Sequence, residues 1–294
     1  MCTPRERTCP PTATEHVTIT GHTRLYAVLG RPVAHSASPG LYNTWFAHFG
    51  VDARYGALDV PPDRADRVPD ALRTLGLAGA NLTVPLKEAV IPHLDALAPS
   101  AQRAGAVNVI RREQGRLVGH NTDGSGLRSH LCGLGFDETR PALVLGAGGA
   151  GRAAVGALLD AGLPVVYLLN RTTARARAVA EQLGSRVRPG PLTPEAFAAV
   201  ACEVGLVVQA VSGPGRVCID ALDPARLSER SVLWSDLNYW DPTPPHHARL
   251  AELGHRFDDG WGMLVGQAIG AFELFTGLQL SRLEAHALLP GRTP

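Results

Sequence analysis

Three absences narrow the possibilities before any motif is considered. The 294-residue chain carries 28 basic and 27 acidic side chains, for a formal net charge of +1. No global field therefore draws it to nucleic acid or an acidic membrane, and any recognition of phosphate must be local. Its five cysteines, Cys2, Cys9, Cys132, Cys202 and Cys218, are odd in number and scattered, with no CxxC pair. That pattern supplies neither a disulfide framework nor a zinc site, and it fits a reducing cytoplasm. Long apolar runs are missing too. The richest stretch, 142–170, is broken by Arg152, Asp160, Pro164 and repeated glycines, well short of the roughly 20 apolar residues a membrane span needs. Residues 1–20 are rich in Thr and Pro and lack an apolar core, so 1–22 is expected to be a disordered extension and not a secretory signal.

What remains is ordinary globular composition, 45% hydrophobic and 19% charged, at a length that suggests about two domains of roughly 150 residues each. Apolar runs and turn residues alternate along it. Leu25–Leu29 reads as a strand closed by Gly30 and Pro32, with a helix starting at Pro39. A strand over 54–60, a helix over 64–75, a strand over 80–84 stopped by Pro85 and a helix near 87–97 follow. Residues 105–120 read as a hairpin, 106–111 and 116–119, turning through Glu113-Gln114-Gly115. A helix over 124–134 leads to a strand at 142–145, a helix over 149–161 and a strand at 165–169, a βαβ unit. Strands at 205–210 and 231–236 with helices between continue a parallel sheet covered on both faces. The apolar spacing of Leu264, Val265, Ala268, Ala271, Phe272 and Phe275 predicts a helix over 263–277.

The βαβ unit contains Gly146-Ala147-Gly148-Gly149-Ala150-Gly151 between its first strand and its helix. A glycine turn there leaves backbone N–H groups pointing outward at a helix N-terminus, which suits a pyrophosphate. Glycine-rich turns also arise where a helix and a strand merely pack closely; the flanking strands favour the nucleotide reading. A ribose-binding carboxylate would stand at 170 or 171, yet no acid occurs between Asp160 and Glu181, and Asn170-Arg171-Thr172 is followed by Arg175 and Arg177. A carboxylate repels a 2′-phosphate and a guanidinium fork binds one, so the expected cofactor is NADP (NADPH). A solvated basic helix face is the other reading of these arginines, and Arg177 is assigned to it.

In the first half, four polar clusters stand at or just beyond predicted strand ends: Ser36 and Ser38; Asn81, Thr83 and Lys87; Asn108; and Asp123. Strand ends of an α/β sheet collect ligands. Each cluster also has a plain structural reading. The serines could cap the helix at Pro39, Asn108 and Asp123 could be turn residues, and Lys87 could be a surface charge.

Taken together, several motifs resemble the shikimate dehydrogenase family in that family's order. They are His35-Ser36-Ala37-Ser38-Pro39, Asn81-Leu82-Thr83-Val84-Pro85-Leu86-Lys87, Gly105-Ala106-Val107-Asn108, Gly119-His120-Asn121-Thr122-Asp123, the glycine turn, Asn170-Arg171-Thr172, and Asp259-Gly260-Trp261-Gly262 through Gln267-Ala268. The resemblance covers about residues 25–285. It implies an α/β fold: an N-terminal α/β substrate-binding domain, 23–124 plus 262–290, and a Rossmann-type, doubly wound parallel-sheet domain for the dinucleotide, 125–261. The C-terminal helix returns to the first domain. It further implies an oxidoreductase of the shikimate pathway of aromatic amino acid biosynthesis, interconverting 3-dehydroshikimate and shikimate with NADP, as a cytoplasmic monomer or homodimer. Lys87 and Asp123 would be the catalytic pair, Ser36 and Ser38 would take the substrate carboxylate, and Thr83, Asn108 and Gln267 the ring hydroxyls, with Tyr239 nearby. Gly146, Ala147, Gly148, Gly149, Ala150, Gly151, Asn170, Arg171, Thr172, Arg175, Leu237 and Gly260 would meet the dinucleotide, and no metal is implied.

The chemistry accounts for these residue types. Hydride reaching a carbonyl carbon leaves charge on oxygen, which an ammonium such as Lys87 can stabilise and protonate. Asp123 would keep that ammonium charged and oriented. Leu86, Val109 and Trp240-Asp241-Pro242 depart from the family pattern, which keeps paralogues acting on quinate, aminoshikimate or a related ring carbonyl open as alternatives. A non-catalytic nucleotide sensor is a further alternative, which loss of the lysine or the aspartate would have favoured.

Overall fold

The computed structural model describes residues 19–240 and 246–289. Residues 1–18 of the expected extension and residue 290 of the first domain lie outside that range. The chain builds two six-stranded sheets in sequence.

The first begins with β1 (Arg24–Gly30), whose last five residues are all buried, as expected for a strand covered on both faces. α1 (Ser38–His48) begins one residue before the expected Pro39, which sits in its first turn, and leads to β2 (Ala53–Asp59). A 3₁₀ turn runs into α2 (Val68–Thr74), followed by β3 (Gly79–Leu82), α3 (Leu86–Ala89), β4 (Ala96–Leu97), α4 (Pro99–Ala104) and the hairpin β5 (Val109–Glu113) and β6 (Arg116–His120). The order is β2-β1-β3-β5-β6-β4. β1 pairs parallel with β2 and β3, and β5 runs antiparallel to both β3 and β6. The carboxyl ends of β1, β3 and β6 and the amino end of β5 therefore share one edge, which is where the four polar clusters stand.

α5 (Asp123–Leu134) crosses to the second sheet, built from β7 (Ala142–Leu145), α6 (Gly149–Asp160), β8 (Val166–Asn170), α7 (Thr173–Leu183), β9 (Val187–Pro191), α8 (Pro194–Ala201), β10 (Leu206–Gln209), α9 (Val217–Asp220), β11 (Leu233–Asp236), α10 (His247–Glu252) and β12 (Arg256–Asp258). Every pairing is parallel, in the order β12-β11-β10-β7-β8-β9. This is the doubly wound dinucleotide-binding order, and a ligand crevice opens where it reverses, between β7 and β10.

α11 (Trp261–Thr276) and α12 (Arg282–Ala287) complete the chain. Val265, Ala268, Ala271, Phe272 and Phe275 of α11 share one buried cluster with Tyr26, Tyr42, Trp45 and Phe46. The edge of Trp45 meets Phe272 at 5.8 Å, and Tyr42 stacks on Tyr55 at 4.2 Å, geometries that add to plain area burial. α11 also crosses α5 at very short range. A Cβ on Gly126 would run into the backbone of Gln267, and one on Gly266 would meet the carbonyl of Gly126. No helix among the described residues is long and apolar enough to cross a membrane.

Several expected boundaries move. The helix expected near 87–97 ends at Ala89, and after a 3₁₀ turn at Ile91–His93 the chain becomes strand β4. Pro92 cannot donate the helical bond and clashes with the preceding turn. The strand expected over 80–84 stops at Leu82, and the hairpin's first strand starts at Val109 and not at 106, because the Ala106 carbonyl goes to the Asn121 side chain and the Val107 N–H to the Lys87 carbonyl instead of to a neighbouring strand. The hairpin turns through Gln114 and Gly115 at φ 49° and 83°, the positive-φ pair that a two-residue β-turn uses.

Candidate active site

Lys87 is carried on the first turn of α3, just past the end of β3, and Asp123 opens α5, just past the end of β6. Lys87 Nζ donates to Asp123 Oδ2 at 2.7 Å, with the two side chains 16% and 4% exposed. A charge pair withdrawn this far from water needs its remaining lone pairs satisfied. Asn108 Nδ2 donates to Asp123 Oδ1 at 2.9 Å, and Asn121 Oδ1 accepts the backbone N–H of Asp123 at 3.0 Å. The carboxylate also lies in the first turn of α5, where the helix dipole favours negative charge. Lys87 has no other side-chain partner among the described residues, so two ammonium protons remain for a ligand.

Asn108 is the hub of this network. Its Nδ2 also reaches Thr122 Oγ1 at 2.9 Å and Gln267 Oε1 at 3.3 Å, and its Oδ1 accepts from the Thr122 backbone at 2.8 Å. Asn81 donates to the Asn108 carbonyl at 3.1 Å and accepts from Tyr55 Oη at 2.7 Å. Burial pushes the Tyr55 phenol well above its usual range, reinforced by Tyr42 and Tyr239, so it stays a neutral donor. The turn-residue reading of Asn108 and Asp123 and the surface reading of Lys87 do not describe these buried contacts.

Nor do the serines cap α1. Its N-cap is Ala37, with no side-chain capping bond. Ser36 Oγ instead accepts the Ser38 backbone N–H at 3.3 Å. Burial raises the Tyr239 phenol, offset by the Ala37 backbone and the Ser36 side chain beside it. Next to Tyr239, Trp240 packs edge-on at 5.2 Å and meets the His35 ring from the opposite sheet at 4.9 Å.

A cleft of about 540 Å³ between the two sheets is lined by Ser36, Ser38, Thr83, Lys87, Asn108, Asp123, Tyr239 and Gln267, together with Ala150, Leu237 and Gly260. The remaining glycine-turn residues, Gly146, Ala147, Gly148, Gly149 and Gly151, and Asn170, Arg171, Thr172 and Arg175, lie outside its wall, along the ends of β7 and β8 and the starts of α6 and α7. They are not remote from the chemistry. A Cβ on Gly149 would touch Lys87 Cβ and Cδ at 3.4 Å, so the α6 N-terminus abuts the lysine.

The turn is shaped for close approach. A Cβ on Gly151 would collide with the Gly146 carbonyl, while the space beside Gly148 is open. α6 has neither a side-chain N-cap nor an acid in its first turn, so its leading N–H groups are available to an anion. Asn170 Oδ1 accepts from Ala147 N at 3.0 Å, tying the end of β8 to the turn. The exposed guanidinium groups of Arg171 and Arg175 that follow take no hydrogen-bond or ion-pair partner among the described residues.

Residues not singled out from sequence also shape the site. Asn121 donates to the Ala106 carbonyl at 3.0 Å while holding Asp123, and Met263 and Leu264 form an apolar wall on the face of α11 that presents Gln267. The helical spacing of Met263 and Gln267 carried that signal. Asn238 bridges Val211 O at 3.0 Å and Asp236 Oδ1 at 2.7 Å, bracing the loops after β10 and β11. Only contacts between distant segments reveal it.

Against known proteins, residues 28–110 match the shikimate dehydrogenase substrate binding domain, and residues 135–230 match the shikimate / quinate 5-dehydrogenase family. The shikimate dehydrogenase (NADP(+)) of Symbiobacterium thermophilum is 46% identical over 287 residues, covering 92% of this chain and 97% of that one. The chain belongs to the shikimate dehydrogenase family. Its relative of the same description in Paramagnetospirillum magneticum is 40% identical over 263 residues, covering 88% of this chain and 95% of that one. The crystal structure of shikimate 5-dehydrogenase from Thermus thermophilus in complex with NADP(H) and shikimate superposes with a TM-score of 0.73 at 38% identity, covering 90% of this chain and 100% of that one.

Proposed function

We propose that this protein is an NADP-dependent dehydrogenase that interconverts 3-dehydroshikimate and shikimate, with Lys87 and Asp123 as its acid–base pair. The observation that carries the reading is the 2.7 Å Lys87–Asp123 contact on the cleft wall, with the glycine turn's helix against Lys87. The names of the relatives that match along nearly the whole chain support it.

NADPH, when bound, supplies hydride to the carbonyl carbon. The glycine turn and the α6 N-terminus would hold its pyrophosphate, and Arg171 and Arg175 its 2′-phosphate. As the C=O π bond opens, the charge on oxygen falls to the Lys87 ammonium, which gives up one proton to form the alcohol and is reprotonated from solvent. Asp123 holds the ammonium in place throughout and gains nothing itself. In the oxidative direction Lys87, as the free amine, takes the hydroxyl proton.

Ser36 and Ser38 would bind the ring carboxylate, with Tyr239 beside them. Thr83, Asn108 and Gln267 would pair with ring hydroxyls, and a site built this way rejects analogues that leave its polar groups unpaired. By this reading residues 23–124 with 262–290 form the substrate-binding domain and 125–261 the NADP domain. The direct test is steady-state oxidation of shikimate, followed by nicotinamide absorbance with NADP and with NAD. Turnover that favours NADP is expected, and absence of shikimate oxidation with either cofactor would overturn the assignment.

A further inference from the structure

We propose that Trp240, seated on His35, is a specificity-determining residue: it admits ring acids whose carboxylate-bearing carbon is trigonal, such as shikimate, and disfavours those with a hydroxyl on that carbon, such as quinate. The inference rests on the reading of Ser36 and Ser38 as the carboxylate hold.

Position comes first. Trp240 follows β11 in the second lobe, and His35 follows β1 in the first, so their 4.9 Å ring contact spans the mouth of the cleft. Trp240 packs edge-on against Tyr239, whose phenol lies beside Ser36 and Ala37. The indole thus closes the cleft at its serine end and not over Lys87. It remains 42% exposed and lines the cleft, so part of the indole surface is open to a ligand there.

The chemistry of that wall follows. An indole face offers neither acceptor nor donor, since its single N–H lies in the ring plane at the edge, so a hydroxyl pressed against the face gives up water without replacement. The polar groups nearest that wall have other tasks. Arg31 pairs with Asp59 at 2.6 Å, Ser36, whose Oγ accepts from Ser38, is committed by the functional reading to the carboxylate, and the His35 ring packs on the indole. A trigonal carbon presents only a flat, apolar edge to the same wall. A tetrahedral carbon bearing both carboxylate and hydroxyl must drive one polar group into it.

The test compares kcat/KM for shikimate and quinate, with NADP, in the native protein and in Trp240→Ala, Trp240→Phe and His35→Ala. The native protein is expected to favour shikimate, Trp240→Ala to lower the shikimate-to-quinate ratio by about ten- to a hundredfold, and Trp240→Phe to stay within about threefold of native. If Trp240→Ala does not fold, His35→Ala removes the opposite half of the contact and should shift the ratio in the same direction. An unchanged ratio in a folded variant, or equal native rates on the two acids, overturns the proposal. Absence of native turnover with shikimate would instead mark failure of the underlying functional reading.

Discussion

Replacing Asn108 with alanine should damage stability and turnover together, because one buried side chain serves both. Asn108 is 2% exposed, and the substitution removes its bond to the Asp123 carboxylate at 2.9 Å and leaves the Thr122 backbone N–H, now served at 2.8 Å, without an acceptor. A hydrogen bond to a charged group contributes about 1.5–3 kcal/mol, and an orphaned buried donor costs about 1–3 kcal/mol. Together these predict a loss of about 2.5–6 kcal/mol, a large share of the roughly 5–15 kcal/mol that holds a typical domain, and a fall in Tm on the order of 10 °C. The carboxylate, freed at Oδ1, can then swing away from Lys87, so kcat should fall by about ten- to a hundredfold. Urea and thermal unfolding followed by circular dichroism, with steady-state kinetics on the same preparations, measure both effects. Stability within about 1 kcal/mol of native with unaltered kcat would refute the role of Asn108 as the hub.

Other perturbations separate the remaining parts of the site. Arg171→Asp should weaken NADP by about two orders of magnitude while leaving NAD nearly unaffected, read as the ratio of kcat/KM for the two cofactors; an unchanged ratio would remove Arg171 from the 2′-phosphate site. Gly151→Ala forces a methyl into the Gly146 carbonyl, a backbone atom that cannot swing aside, and should abolish measurable NADP binding by calorimetry. His255 and His286 are both held below the ordinary histidine range, His255 by burial and His286 by burial and then by Arg282 and His130. For both, the unfolded chain binds protons more readily, so stability is complete above about pH 6.5 and falls as pH drops below it toward the folded values. Unfolding free energy that stays flat between neutral and mildly acidic pH would contradict those depressions.

The second sheet was legible because its strands are continuous apolar runs, such as Ala142–Leu145 and Leu206–Gln209, punctuated by glycine turns. Short elements escaped. β4 is two residues long and β12 three, and β9, Val-Arg-Pro-Gly-Pro, carries no strand signature at an exposed sheet edge. The glycine turn could be read directly, since only local backbone geometry makes it. The first half's constellation could be listed but not assembled. Lys87 and Asp123 are 36 positions apart, and only the pairing of β3, β5 and β6 brings their strand ends to one edge. Asn121 and Asn238 act through bonds to the Ala106 and Val211 carbonyls in other segments, so residue type alone could not mark them.

The central claim is that a lysine held by a buried aspartate protonates the oxygen of a ketone beside the nicotinamide site. Lys87→Ala tests it most directly, with turnover measured on shikimate and NADP affinity measured on the same preparation by calorimetry. A fall in kcat of about two to four orders of magnitude with cofactor affinity nearly intact is the predicted result. Turnover equal to that of the native protein would contradict it.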